Sequence, residues 1–451
     1  MRNIKLRIIG AAFGISAVLD GHAADTNEKG EGSLFREIFG DGLTRDFGIT
    51  VSGLLDVAYS RNNRSSSAAR KGGQTNLPVS GFADEGLEFG SLHLLVDKPL
   101  TSTMVSRITP KPGPAPQQSD FGFTIEAVYG RNAQYAGTYG WDMGWGMNQS
   151  DSIKAREDKD LFFVIPNFAA TAYLPVGEAG INVMAGIFGS GLGNEIPTNL
   201  RAARNTFASK SYAFMAQVGT VSGVLLGTRL LNNESMLLGG ELGVVQGWKN
   251  LRDNNDSKSL MGALRWRTAD MQTWLDYEFV AGNAQNDDFD DVQTPKGRVV
   301  SPDGQFRQEH SLTGWHRFSE HWSMGAELLY GHQDGDGKAS TIDVVAGPGF
   351  DGAHWWGANT VLTFQYRPNL SFSVRGEHFS NPDGYALFPS STARGDFSAV
   401  TTGLRWDVNG NLSLRPELRY DWFDARDQGR PFGNGNASSQ LTAMVEALVY
   451  F

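Results

Sequence analysis

The sequence predicts an all-β chain, folded as a 16-stranded antiparallel transmembrane β-barrel with short periplasmic turns and long extracellular loops. Three observations predict it. Apolar and polar residues alternate over stretches of about 10 to 14 positions, each closed by turn residues. The gaps between those stretches alternate between short and long. The chain also opens on a leader with the layout of an export signal.

Composition narrows the class. The 451 residues carry 55 glycines, no cysteine and a formal charge of −10. The lack of cysteine excludes a disulfide scaffold, a thiolate metal site and a cysteine nucleophile. Eleven Trp, 27 Phe and 12 Tyr exclude a disordered acidic chain. A mean hydropathy of −0.31 excludes a helical membrane protein. It does not exclude a barrel, in which each lipid-facing residue is followed by a lumen-facing one and polar loops dilute the rest. The acidic balance argues against a nucleic-acid partner.

Arg2, Lys5 and Arg7 precede an apolar run from Ile8 to Leu19, then Gly21-His22-Ala23-Ala24 and polar sequence. Basic start, short apolar centre and small residues at the cut identify residues 1–23 as a signal peptide, too short to span a bilayer. Its removal takes the charge from −10 to −12. Residues 24–46 form a periplasmic N-terminal segment, in which Leu34, Phe35, Ile38 and Phe39 make one apolar stripe at helical spacing.

The barrel occupies 47–451. Strands are expected at about 47–60, 87–97, 121–131, 168–176, 181–188, 221–231, 237–249, 258–267, 271–282, 306–316, 322–333, 353–366, 370–380, 396–407, 411–424 and 438–451. The last sets Leu441, Ala443, Val445, Ala447, Val449 and Phe451 against Thr442, Met444, Glu446 and Tyr450. The one before sets Leu412, Leu414, Leu418, Tyr420 and Trp422 against Ser413, Arg415, Glu417, Arg419 and Asp421. Further back, Phe372 and Val374 oppose Arg375 and Glu377, and Leu275, Tyr277 and Phe279 oppose Asp276 and Glu278. Sandwich strands average about 5 to 6 residues, whereas these are long enough to cross a bilayer when tilted. Slipping 411–424 by one residue would put Arg415 and Arg419 in lipid, at roughly 2–4 kcal/mol each near the midplane. The charges therefore face inward.

Short gaps fall at Gly177–Gly180, Asn232–Met236, Thr268–Asp270, Arg317–His321, Arg367–Asn369 and Val408–Gly410. The Pro-rich stretch Lys98–Asp120 breaks the rule as a long connection on the periplasmic side: an elaborated turn, or a hairpin not recognised as one. Ser211–Gly219 is strand-like but is assigned to a loop, because counting it would make the strand number odd. Tyr59, Trp248, Trp266, Trp322, Trp406 and Trp422 fall near strand ends on the apolar face, where an interfacial girdle is expected.

This register lines the lumen with Arg229, Arg265, Arg375, Arg405, Arg415 and Arg419 and with Glu126, Glu241, Asp276, Glu278, Glu327, Glu377, Glu417 and Asp421. At about 16 strands a barrel is too wide for its own side chains to fill. The mixed charge would either tune a hydrated path or pair off between neighbouring strands. Catalytic and metal motifs are missing. Gly335–Ser340 lacks P-loop spacing, Asp334 and Asp336 lack the rest of a calcium loop, Asp287, Asp288, Asp290 and Asp291 read as a solvated acidic loop with a divalent-ion site near anionic lipid head groups as the alternative, and no H-E-x-x-H or G-x-S-x-G occurs. No cofactor and no enzymatic activity are expected.

Gly48-Ile49-Thr50-Val51-Ser52-Gly53 at the first strand, Arg415-Pro416-Glu417-Leu418-Arg419-Tyr420-Asp421-Trp422 before the last, and the terminal Phe451 resemble the β-barrel porins of the OmpL-like, porin-2 type. The resemblance implies a water-filled outer-membrane channel for passive diffusion of small hydrophilic solutes in a Gram-negative-type envelope. It also implies a homotrimer, contact with outer-membrane lipid and lipopolysaccharide, and recognition of the terminal aromatic by the barrel-insertion machinery. In general porins the third extracellular loop narrows the lumen. Here that loop is Gly189–Gly219, and the pore-lining and constriction residues expected are Glu195, Arg201, Arg204 and Lys210 of the loop, together with Arg265, Arg375, Arg405, Arg415, Glu417 and Arg419 of the wall. The alternatives are a carbohydrate-selective porin, which would need lumen aromatics such as Trp274, Trp315 and Trp355, and a non-channel barrel acting as enzyme or adhesin.

Overall fold

The computed structural model describes residues 35, 37–38, 40–64, 85–100, 109–148, 161–196, 205–253, 255–283, 305–335, 351–387, 391, 393–433 and 435–451. Among the described residues run sixteen strands, and their centres coincide with the alternating stretches of the sequence. They are β1 (Thr50–Asn62), β2 (Gly86–Lys98), β3 (Asp120–Gly130), β4 (Phe162–Leu174), β5 (Ile181–Gly189), β6 (Thr220–Asn232), β7 (Met236–Val245) and β8 (Ser259–Thr268). The second half comprises β9 (Thr273–Asn283), β10 (Phe306–Arg317), β11 (Trp322–Asp334), β12 (Gly352–Arg367), β13 (Leu370–Asn381), β14 (Gly395–Asn409), β15 (Leu412–Ala425) and β16 (Ser439–Tyr450). Each pairs antiparallel with its chain neighbours, and β1 closes on β16 from Leu54↔Tyr450 to Asn62↔Thr442. Closure gives every strand two hydrogen-bonded neighbours, the condition for crossing lipid with strands.

The two faces sort as their chemistry requires. On β15, Leu418 and Tyr420 are exposed while Arg415, Glu417, Arg419 and Asp421 are buried inside; on β13, Phe372 and Val374 point out while Ser373, Arg375 and Glu377 point in. The outward band is apolar, so exposure to water in isolation is exposure to lipid in place. Short turns gather at one end. In the β6–β7 turn the Asn233 side-chain oxygen accepts the N–H groups of Ser235 and Met236, both at 2.9 Å, closing the turn on itself.

Two expectations change. β4 starts at Phe162, six residues before the expected 168. Its register against β3 shifts between Glu126 and Val128, so Ile165 and Pro166 together oppose Ala127. Pro166 cannot donate to a ladder and reads as a strand stop, but at a bulge no donor is needed. β7 ends at Val245 instead of 249, and the chain then turns inward, so Trp248 is buried beneath the Arg307 guanidinium (4.4 Å) and is no girdle residue. Tyr59, Trp322 and Trp406 are exposed on the outer face as expected.

Ser211–Gly219 contains a short helix, α2 (Tyr212–Ala216), and no strand. At the barrel seam Gly53 and Phe451 exchange backbone hydrogen bonds at 2.7 and 3.0 Å. The Phe451 ring covers Gly53 so closely that a Cβ there would collide with it. Phe35, from the expected apolar stripe, packs on the same ring with centroids 5.8 Å apart. Leu34 and Phe39 lie outside the described residues. A further helix, α1 (Gly42–Phe47), leads into β1.

Candidate functional site

The β5–β6 connection is the element that shapes the lumen. Its two ends are joined at the root, where Ser190 N–H donates to Gly219 O at 3.1 Å and Leu192 and Val218 share one apolar cluster with Phe188 and Val221. Beyond the root the chain leaves its own wall. β13 lies eight strands from β5 in a ring of sixteen, and its Arg375 and Glu377 are among the wall residues bonded to the loop. The loop therefore crosses the full diameter of the barrel.

It is held chiefly by its main chain. Ala208 N–H donates to Glu417 at 2.7 Å, Ser209 N–H to both oxygens of Glu417 at 3.2 Å, Tyr212 N–H to Glu377 at 2.8 Å and Val218 N–H to Glu309 at 3.0 Å. In return Arg375 donates to Ser209 O (3.1 Å), Arg419 to Lys210 O (3.1 Å) and Arg415 to Asn205 O. Bonds to ionised partners contribute about 1.5–3 kcal/mol each, more than neutral ones. At the root side Gly193 N–H donates to Ser311 Oγ (3.0 Å) and the Asn194 amide to Ala326 O (2.9 Å). α2 is capped by Ser211, whose hydroxyl accepts Phe214 N–H at 3.1 Å.

The site residues expected from sequence divide into three groups. Glu195, Lys210, Arg375, Arg415, Glu417 and Arg419 come together where the loop meets β13–β15. Glu195 pairs with Arg375 at 2.8 Å and accepts the Ser211 N–H and hydroxyl, both at 2.7 Å. Glu377 sits between Arg375 (3.3 Å) and Arg419 (2.7 Å), Arg419 also holds Asp421 (2.8 Å), and Arg415 pairs with Glu446 on β16. Arg265 and Arg405 stand apart. Arg265 joins Glu241 (3.6 Å), Asp276 (2.7 Å) and Glu278 on β7–β9, and Arg405 joins Asp407 (3.0 Å) near the periplasmic end of β14. Arg201, Arg204 and the acidic cluster 287–291 lie outside the described residues.

Among the described residues, the wall charges named above thus pair within the wall or with the loop. Glu195 keeps 13% of its side chain exposed and Arg405 24%, against 2–3% for Arg375, Arg415 and Arg419. Lys210 is buried, and that burial pushes its ammonium below the ordinary lysine value against the opposing pull of Glu195. Burial and the neighbouring Asp421, which accepts its hydroxyl at 2.8 Å, hold the Tyr212 phenol well above the usual range. Glu309 and Tyr212 are docking residues that the sequence did not single out. Glu309 carried the signal of a lumen-face acid on an alternating strand; Tyr212 carried none.

An apolar cluster fills the extracellular side of the same half: Tyr212 and Ala213 of α2 pack with Trp355, Phe379, Phe397 and Phe432. Of the lumen tryptophans, Trp274 and Trp315 pair directly across β9 and β10. Trp355 lies at the level of Glu309, roughly 20 Å further along β10 at 3.4 Å per residue. The three form no continuous aromatic track.

The chain's likeness to known proteins agrees with this geometry. Residues 48–451 match the family described as beta-barrel porin-2, OmpL-like. No curated protein sequence matches the chain. Among solved structures, OprB from Pseudomonas putida is similar with a TM-score of 0.51 at 12% identity, covering 94% of this chain and 99% of that one. An anion-selective porin from Comamonas acidovorans gives a TM-score of 0.50 at 10% identity, covering 89% and 99%. At such identities the likeness is one of fold. The family match spans nearly the whole barrel, and the chain belongs to the OmpL-like beta-barrel porin-2 family of outer-membrane porins.

Proposed function

We propose that this porin passes small hydrophilic solutes by passive diffusion through a lumen constricted by the β5–β6 loop, without cofactor, energy source or catalytic step. The observation that supports it is a loop crossing from β5 to β13 and bonded there by wall carboxylates and arginines. A 16-stranded wall leaves an aqueous interior, and this loop divides it. Glu195, whose side chain stays partly exposed, lends the path an acidic charge, and Arg201 and Arg204 of the same sequence segment are assigned to solute selection as its basic residues. Arg265, Arg375, Arg415, Glu417 and Arg419 act by holding wall and loop in place, and Arg405 fronts the periplasmic exit.

Residues 1–23 are removed on export, 24–46 remain in the periplasm, and Phe451 is the end read by the insertion machinery. The outer wall contacts lipid and lipopolysaccharide, and three copies associate, as the family resemblance implies. Ohmic conductance in planar bilayers, with a reversal potential under a salt gradient, tests the channel. Swelling of proteoliposomes in neutral sugars tests passive diffusion. A barrel that conducts no current and admits no sugar overturns the proposal, and a heat-modifiable monomer with no larger species before boiling overturns the trimer.

A further inference from the structure

The periplasmic connection between β2 and β3 is longer than a turn needs to be, and its described residues do not hang free. The Tyr173 hydroxyl of β4 donates to Pro116 O at 2.7 Å, and the Arg229 guanidinium of β6 donates to Gly113 O at 2.7 Å. Asn232, at the end of β6, donates to the same Gly113 oxygen at 2.9 Å. Tyr173 and Arg229 are lumen-facing residues, both buried. Leu100 packs on Tyr173, and Thr109 is buried at the start of the segment. From its exit at β2 the connection reaches β6, four of sixteen steps around the ring, and is anchored on the inner side of the rim. A chord anchored on inward-facing side chains passes inside the arc it subtends. Prolines at 110, 112, 114 and 116 fix φ at every second residue, so the segment is stiff as well as pinned.

We propose that residues 109–119 form a second, fixed restriction of the pore at its periplasmic exit, which selects solutes by size independently of the β5–β6 loop. The proposal rests on the channel function above. The chain has no cysteine, so an Ala115→Cys variant can be derivatised alone with a bulky methanethiosulfonate reagent added from the periplasmic side of a bilayer. Single-channel current is expected to fall in a discrete step. The same label on Ser319→Cys, in the β10–β11 turn, is expected to leave the current unchanged. Equal responses at the two positions overturn the restriction, and absence of current before labelling overturns the channel function beneath it.

A second comparison leaves the connection's length intact. Tyr173→Phe combined with Arg229→Ala and Asn232→Ala removes all three pins, and larger polyethylene glycols are then expected to enter from the periplasmic side while the limit from the extracellular side stays as in the wild type. An unchanged periplasmic limit overturns the role of the pins.

Discussion

Replacing Glu377 by alanine removes the acceptor of Tyr212 N–H (2.8 Å) and the shared partner of Arg375 (3.3 Å) and Arg419 (2.7 Å). Removing one partner of a buried pair costs about 3–5 kcal/mol, because the other charge stays buried. Arg375 keeps Glu195 at 2.8 Å and Arg419 keeps Asp421 at 2.8 Å, which places this case at the lower end. About 3 kcal/mol is roughly a hundredfold in the equilibrium between docked and undocked loop. The loop spans the lumen, so undocking is read directly in single-channel recordings, as a hundredfold longer time in noisy, higher-conductance substates. Glu377→Gln keeps an acceptor for Tyr212 N–H and is expected to show a smaller effect. A Glu377→Ala barrel that is folded by heat-modifiable migration yet gives the wild-type current trace would refute the reasoning.

Further outcomes follow from the wall and the outer loops. Leu418→Arg, on the lipid face of β15, is expected to cost about 2–4 kcal/mol in reversible unfolding from lipid; a change within error of zero refutes the register. Gly53→Val drives a side chain into the Phe451 ring, and the heat-modifiable fraction recovered on refolding is expected to fall, with Phe451→Ala restoring part of it. Burial pushes the Asp142 carboxyl up to about 6 despite the N–H donors of Thr138 and Ile165. The folded loop thus binds a proton more tightly than the unfolded chain does, and its stability falls as pH rises from about 4 through about 6, by about 3 kcal/mol in all. Trp141 and Trp145, which pack against Phe168 and Phe163 beside Asp142, report it by fluorescence; the signal should flatten in Asp142→Asn.

The barrel was legible because lipid and lumen impose opposite chemistry on alternate residues. Every strand that kept strict alternation, such as β13, β15 and β16, is where the pattern puts it. β4 was legible only from Phe168 on, since Pro166 interrupts the pattern at the bulge that accommodates it. Trp248 misled because its parity continues β7, although the backbone has already turned inward. The docking of the constriction loop was the least legible feature. Glu309, Glu377 and Glu417 bind the N–H groups of Val218, Tyr212, Ala208 and Ser209, which any non-proline residue carries, so the loop's side chains do not encode the contact. The side-chain pairs that do, Glu195 and Ser209 with Arg375 and Tyr212 with Asp421, join positions 166 to 209 residues apart. Apart from Glu309, the wall half of these interactions was legible: Arg375, Glu377, Arg415, Glu417 and Arg419 on the inner face.

The central claim is that the β5–β6 loop crosses the lumen and sets the current. Removal of residues 200–210 tests it most directly, because that stretch carries the main-chain groups held by Glu417, Arg375 and Arg419. Single-channel conductance in planar bilayers is predicted to rise, with larger neutral sugars newly able to enter proteoliposomes. Conductance and sugar limit both equal to those of the intact porin would contradict the account.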